Sequence, residues 1–426
     1  MPVQAQDALT HEPDLSADAG EAGRSTPSLA PVADGPILTV EEAVARARGD
    51  QPSIAAFERE AVASEEAAVA AQSLPDLRVS VGIQNFPITG DEALSPTESP
   101  MTMYTIGVMR EQVRRSRREA QAARLRAEAA ISRAEGAAQL LDIEREAMIA
   151  WVKAVEAVAK QRLLSQIVKD LRVGREVMEA AIPTGGSTSA LALAAQAEVA
   201  LAQAQLAAAR GAEARARGEL ARWIGTAALR PLPAHIPVLT LPPALDAAVT
   251  GRAHPRILAS QAQELAAQQQ IEVARSDRAP NLSWSVTLGL RPEYGQMISG
   301  QVSIPLQFNR RGLQDRRIAE AQARADAARL RTLDELRELR GAYAAAVAEY
   351  RGAAEAIDEL RNDAIPALEA SFETAEARYA GGQGTLELPL DIVRRYVEAN
   401  IELVEQEALR ARAAAELLYL AGENPR

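Results

Sequence analysis

The sequence predicts a mainly α protein with a small β part, built as a tandem duplication. Three observations carry this expectation. Two helical patterns each run for nearly 70 residues, from about Glu111 to Glu179 and from about Leu313 to Tyr379. Four short segments alternate strictly between apolar and polar residues. The chain also resembles itself at an offset of about 200 residues.

The composition suits long helices. The chain has 426 residues, of which 47% are apolar but only 3% aromatic, and much of the apolar share is Ala. A compact core normally uses larger side chains, whereas Ala-rich helices pack closely along their length. Each pattern of nearly 70 residues corresponds to about 100 Å of helix. Shorter helices are expected near 41–73, 187–224, 253–278 and 387–420, each about half as long. Two short helices end to end therefore match one long one.

The duplication is read from paired segments. "AAVAAQSLPDLRVSVGI" (67–83) matches "IEVARSDRAPNLSWSVTLGL" (271–290), and "GELARWIG" (218–225) matches "AELLYLAG" (415–422). Each half has the order helix, strand pair, long helix, break, helix. The expected organisation is a disordered tail at 1–37, a first repeat at 38–228, a Pro-rich linker at 229–245 and a second repeat at 246–422. "VQAQD" near the start fits the first residues left after cleavage of an exported precursor, with Met1 added later.

The strands are expected at about 77–86, 104–110, 282–291 and 298–306. In the first, Leu77, Val79, Val81 and Ile83 alternate with Arg78, Ser80, Gly82 and Gln84. In the third, Leu282, Trp284, Val286, Leu288 and Leu290 alternate with Ser283, Ser285, Thr287, Gly289 and Arg291. An ordinary antiparallel sheet on a core gives this pattern. So does a tilted strand of about ten residues crossing a bilayer. The neighbouring helices are too long to cover a small sheet, and the polar faces of Ser, Thr, Gly and Gln suit a watery lumen. Four strands cannot close a membrane barrel, and an open edge in lipid is not viable. Membrane strands would therefore require several chains, each contributing four.

Several functions are excluded or disfavoured. The net charge of −11 argues against nucleic acid as a partner. There is no Cys, so thiolate metal sites and Cys nucleophiles are absent. His occurs only at 11, 235 and 254, which disfavours a His metal site. No run of 18 apolar residues is present. No phosphate loop, nucleophile elbow or His–carboxylate cluster is present, so no catalytic residue, cofactor or metal site is expected.

The most specific stretch is "RYAGGQGTLELPLD" (378–391), which interrupts the second helical pattern. It resembles the Arg-Tyr-x-x-Gly-x-x-Thr/Ser signature of the outer-membrane factor family, the TolC-like exit channels of tripartite efflux and secretion systems. Arg378, Tyr379, Gly382 and Thr385 stand at the signature positions. "PTGGSTSALAL" (183–193) is a weaker copy, with Gly186 and Ser189 at the same spacing. The resemblance covers about residues 38 to 422. It implies a homotrimer, with a long periplasmic α-helical barrel and four strands per chain completing a 12-stranded outer-membrane β-barrel. It also implies an inner-membrane pump of the RND type, a periplasmic adaptor (a membrane fusion protein) and outer-membrane lipid as partners. "GIQNFP" (82–87), "PMTMYTIGVMREQVRRSRRE" (100–119) and "IPLQFNRRG" (304–312) resemble the branch serving heavy-metal pumps of the cobalt–zinc–cadmium and copper type. The cargo expected from this is heavy-metal cations. The alternatives are drugs or organic solutes, type I protein secretion or, outside transport, a soluble helical scaffold.

In such channels acidic rings close the tunnel at its periplasmic tip. Asp391 falls on one ring position. Leu388 occupies the other, which puts a double ring in doubt, and Glu387 lies next to it. Asp391 equally fits a carboxylate placed to favour a helix N-terminus, with Pro389 starting that helix. Gly supplies the turn at "AGGQG", and Thr385 is expected to cap the returning helix. Arg110, Arg114, Arg115, Arg117 and Arg118, then Arg310, Arg311, Arg316 and Arg317, cluster where strands meet helices. They fit either lipid headgroup contact and sheet-edge anchoring or simple snorkelling. Met101 and Met103 fit loop packing better than soft-metal binding. Trp284 and Tyr104 read as lipid-facing or belt aromatics.

Overall fold

The computed structural model describes residues 35–49, 51–91, 93–95, 97–183, 187–241, 254–291, 294–381 and 387–422. The first half holds α1 (Val40–Gly49), α2 (Pro52–Gln72), β1 (Arg78–Gln84), β2 (Met103–Gln112), α3 (Arg115–Ala180) and α4 (Ser189–Ile224), followed by a 3-10 turn at Gly225–Leu229. The second half holds α5 (Pro255–Ser276), β3 (Leu282–Leu290), β4 (Met297–Ser303), α6 (Gln314–Glu359), a π turn at Leu360–Ala364, α7 (Ile365–Ala380) and α8 (Glu387–Ala421).

Three expectations are corrected by local physics. The single helix near 41–73 is two helices, because Pro52 lacks an N–H and starts α2 at its first position. The first long helix starts at Arg115, not Glu111, because Glu111 and Gln112 extend β2 by pairing with Ser283 and Leu282. The second long helix is interrupted. Pro366 cannot donate to the carbonyl four residues back, and the chain widens just before it. There the Ile365 N–H bonds the Leu360 carbonyl, five residues back.

α3 is the spine: α2, α4, α5 and α8 all pack on it. Its middle carries the main core. Trp151 is fully buried with Ile143, Val152 and Val155 of α3, Leu220 of α4 and Leu418 of α8. The Trp151 indole Nε1–H donates to the Leu38 carbonyl at 3.1 Å. Arg217 is buried and donates to the Ala228 and Arg230 carbonyls at 2.8 and 2.9 Å. Arg230 in turn donates to the Pro36 carbonyl at 2.8 Å. Pro36 and Ile37, read from sequence as part of a disordered tail, are thus tied to the chain after α4. The rest of that tail, through residue 34, lies outside the described residues.

The two halves meet again at α5. His254 caps it: its Nδ1 accepts the Arg256 N–H at 3.3 Å. The proton is therefore on Nε2, which donates to the Tyr419 carbonyl at 3.1 Å. α8 is stapled to α3 by Lys160–Glu405 at 2.8 Å, Arg412–Glu156 at 2.6 Å and Arg145–Glu416 at 3.4 Å. By length and composition the stretch Ser189–Leu229, which begins with α4, is apolar enough to cross a bilayer. It instead packs along α3, with Ala195, Val199, Ala202 and Leu206 buried.

The four strands form one antiparallel sheet in the order β1-β2-β3-β4. β2 pairs with β3, so the sheet joins the two halves. β1 stops at Gln84 because Asn85 turns the chain with φ at +53°. β4 stops at Ser303, since Pro305 has no N–H for the ladder.

Candidate functional site

The sheet register sorts side chains into continuous rows. Val81, Ile106, Leu288 and Ile298 stand abreast on all four strands. Val79, Val108 and Val286 form the next row, and Ile83, Tyr104 and Leu290 the next. Nothing among the described residues covers this face: Val81 is 81% exposed and Ile298 77%. The opposite face carries Ser80, Gly107, Thr287 and Ser299 in register. A Cβ at Gly107 would lie 2.8 Å from Ser80 Oγ and 2.9 Å from Thr287 Oγ1, so a larger residue there would force these hydroxyls to move. Trp284 and Tyr104 sit at opposite ends of the apolar face. Leu290 is opposite Tyr104, so the two aromatics lie about 20 Å apart along the strands. Met103 lies in β2, not in the loop, and its thioether rests on Gly289 of the polar face.

At the sheet's helix end the Arg residues hold protein carbonyls and acids. Arg110 Nε donates to the Pro75 carbonyl and Arg114 Nε to the Pro280 carbonyl, both at 2.9 Å. Arg118 donates to the Gln72 carbonyl, and Arg117 pairs with Asp277 at 3.3 Å. Arg115 bonds Glu119 within α3 at 2.7 Å. Arg310, Arg311, Arg316 and Arg317 are exposed.

The other end of the helices carries the signature residues. α3 turns back into α4, and α7 into α8. Arg378 is exposed in the last turn of α7, where a cation suits the helix dipole. Tyr379 follows it in the same helix. Gly382, Thr385 and Gly186 lie outside the described residues. Ser189 is the first residue of α4 and exposed. The cap is the preceding residue, Thr188, whose Oγ1 accepts the Leu191 N–H at 3.3 Å. Glu387 opens α8, two residues before Pro389.

Asp391 lies one turn into α8 and is half exposed. Its Oδ2 is 3.1 Å from Arg395 Nε of the same helix. The preceding residue, Arg394, pairs with Glu198 of α4. That pair sets the two hairpins side by side. Tyr396 donates its hydroxyl proton to Glu369 of α7 at 3.0 Å, and burial with this neighbour pushes the phenol pKa up. Asp170 and Glu376 share a cavity of about 700 Å³ there with Leu171, Phe372 and Val393. Sequence reading missed Arg394, Arg395 and Tyr396. Only Arg395 left a local signal, since it stands four residues after an acid.

No protein-family model matches the chain, and no curated protein matches it by sequence. Solved structures match it over most of its length. The outer membrane protein VceC of Vibrio cholerae superposes with a TM-score of 0.72 at 18% identity, covering 90% of this chain and 96% of that one. The outer-membrane channel OprN gives 0.76 at 18% identity, covering 90% of each chain. CusC, described through its transmembrane channel formation, gives 0.75 at 14% identity, covering 90% of this chain and 92% of that one. This chain has the TolC-like channel fold. The uncovered apolar sheet face lies at one end of the long helices and the helix tips at the other.

Proposed function

We propose that this chain is one subunit of a trimeric exit duct in the outer membrane, extending into the periplasm. One observation carries the reading: the apolar row Val81, Ile106, Leu288 and Ile298 runs unbroken across a four-stranded sheet whose apolar face nothing among the described residues covers. β1 and β4 each have one edge with no strand partner among the described residues. Lipid accepts the apolar face but not the open edges. Three copies joined edge to edge would give twelve strands and no edge. The polar face then lines a watery passage. The long helices would form the periplasmic tunnel, the helix tips would meet a periplasmic adaptor, and an inner-membrane RND-type pump would supply the energy. The duct itself is passive.

Heavy-metal cations are the proposed cargo, supported by the resemblance at "GIQNFP", 100–119 and 304–312. Three Asp391 carboxylates converging at the tip would attract cations and hold divalent ions weakly through oxygen. Glu387 and the signature residues Arg378, Tyr379, Gly382, Thr385, Gly186 and Ser189 are proposed to shape that tip.

The test is assembly and conductance. Purified chain should be a detergent-dependent trimer that conducts in planar bilayers. A soluble monomer without conductance would sink the reading and favour a helical scaffold. Cargo is tested by deletion: sensitivity to zinc, cobalt or copper salts supports metal export, whereas sensitivity to dyes and solvents alone supports organic export.

A further inference from the structure

The register sorts the large apolar side chains of the sheet onto one face, with three exceptions. Met103 and Met109 of β2 and Met297 of β4 stand on the polar face. Within β1–β4 no Leu, Ile, Val or aromatic residue joins them there, and no Met stands on the apolar face. The chain has only seven Met, so hydrophobicity alone does not account for this sorting.

Two of the three meet. Gly289 of β3 stands opposite Met297 of β4. Partners so placed have Cβ positions about 4.5–5.5 Å apart. From the other side Met103 lays its sulfur over the same glycine, 3.0 Å from where a Cβ would be. The two thioethers thus flank one gap, although they come from different halves of the chain. Filling space over a glycine is an ordinary task for Met103. It does not explain Met297, which is 44% exposed, or Met101, two residues before Met103 and 64% exposed.

A pair of thioethers offers soft donation without charge. Such ligands select Cu(I), whereas carboxylates, carbonyls and water suit Mg, Ca and Mn. The neighbouring positions on this face, Gly82, Gln84 and Thr105, bring no carboxylate. Arg291, just beyond β3, donates to the Gly295 carbonyl at 2.6 Å and lies over the Tyr294 ring. No group of three His, Asp or Glu side chains that could hold a metal ion occurs among the described residues.

We infer that Met103 and Met297 form a thioether site for a soft monovalent cation, Cu(I) or Ag(I), on the polar face of the sheet. As a station on the wall of a passage it rests on the exit-duct reading, and it narrows the proposed cargo to soft ions. Both ligands lie in one chain, so binding is measured apart from that reading.

The test uses the full chain, purified in detergent, with silver(I) as the probe, since it is soft and does not change oxidation state in air. With methionine methyl groups labelled with carbon-13, silver nitrate should shift the signals of Met103 and Met297 together. Calorimetric titration should show binding, with zinc(II) at least about tenfold weaker. Met103→Leu and Met297→Leu keep the side-chain volume and should each weaken silver binding at least about tenfold. Met109→Leu, about 20 Å away along β2, should leave it unchanged. Absence of silver binding, or equal binding in all three variants, overturns the site even where the protein conducts. Silver binding lost in the first two variants, in a protein that does not conduct, keeps the site and sinks only the duct.

Discussion

Asp391 Oδ2 lies 3.1 Å from Arg395 Nε, one helical turn further along α8. The acid proposed to ring the tunnel mouth therefore has a cation within its own helix. Exposed pairs of this kind are worth about 0.2–1 kcal/mol, so the pairing attenuates the acid without cancelling it. The two substitutions should act in opposite directions. Asp391→Asn should weaken block of the channel by divalent cations. Arg395→Ala should deepen it by up to about fivefold, the ratio that 1 kcal/mol sets. Single-channel recording with added divalent salt measures both, and unchanged block in both variants would remove Asp391 from the gate.

The apolar sheet face separates membrane insertion from a soluble scaffold. Val81 and Ile298 are already exposed in the single chain. In a soluble protein Val81→Arg or Ile298→Arg would cost little. On a lipid face each should cost about 2–4 kcal/mol near the bilayer midplane. The expected outcome is loss of the detergent-stable trimer, read by native gel or light scattering. Wild-type assembly in both variants would count against lipid contact.

His254 gives stability a pH dependence of fixed sign. Burial holds its pKa below the usual 6.5, despite the hydrogen bond to the Tyr419 carbonyl. Arg256 adds to the lowering and Asp142 opposes it. The folded protein needs the neutral ring, because Nδ1 accepts the Arg256 N–H. The unfolded chain takes up its proton first as pH falls. Stability from this site is therefore present above about pH 6.5 and is lost as pH falls toward the folded-state value. His254→Asn keeps a side chain suited to capping and removes the titration. Thermal unfolding from pH 8 to pH 5 should fall less steeply in the variant. Parallel curves would remove His254 as the cause.

Trp151 ties the chain entry to the spine. Trp151→Phe leaves most of the ring packing but removes the donor to the Leu38 carbonyl. A loss of about 1–3 kcal/mol is expected, since that carbonyl stays buried. Trp151→Ala should cost about 3–5 kcal/mol through the cavity left behind. Denaturant unfolding of both variants measures the difference.

Much of the fold is legible in local patterns. Period-two alternation reports strand faces directly, so the register stacks Val81, Ile106, Leu288 and Ile298 as the alternation implies. Helical periodicity likewise reports the long helices to within a few residues. The misses are local conflicts that the pattern hides. Glu111 and Gln112 read as helix but are drawn into β2 by their partners on β3. Pro366 lies within a stretch that reads as one continuous helix, and a π turn precedes it.

The candidate site was only partly legible. Asp391 and Arg395 sit four residues apart, so their pairing follows from helix geometry alone. Arg394 meets Glu198 across 196 residues of chain, and no periodicity encodes that. Gln307 and Gln314 look like ordinary surface amides in sequence, yet their side-chain oxygens are buried with no hydrogen-bond partner among the described residues.

The sequence by itself determined the duplication, the two-faced strands and the long Ala-rich helices, because each depends on spacing along a few turns of backbone. The tertiary structure alone decided which half pairs with which, where the spine carries its core, and which polar groups are left without partners. Those depend on packing between segments hundreds of residues apart. There, one side chain's position is set by the register of another element rather than by its own neighbours in the chain.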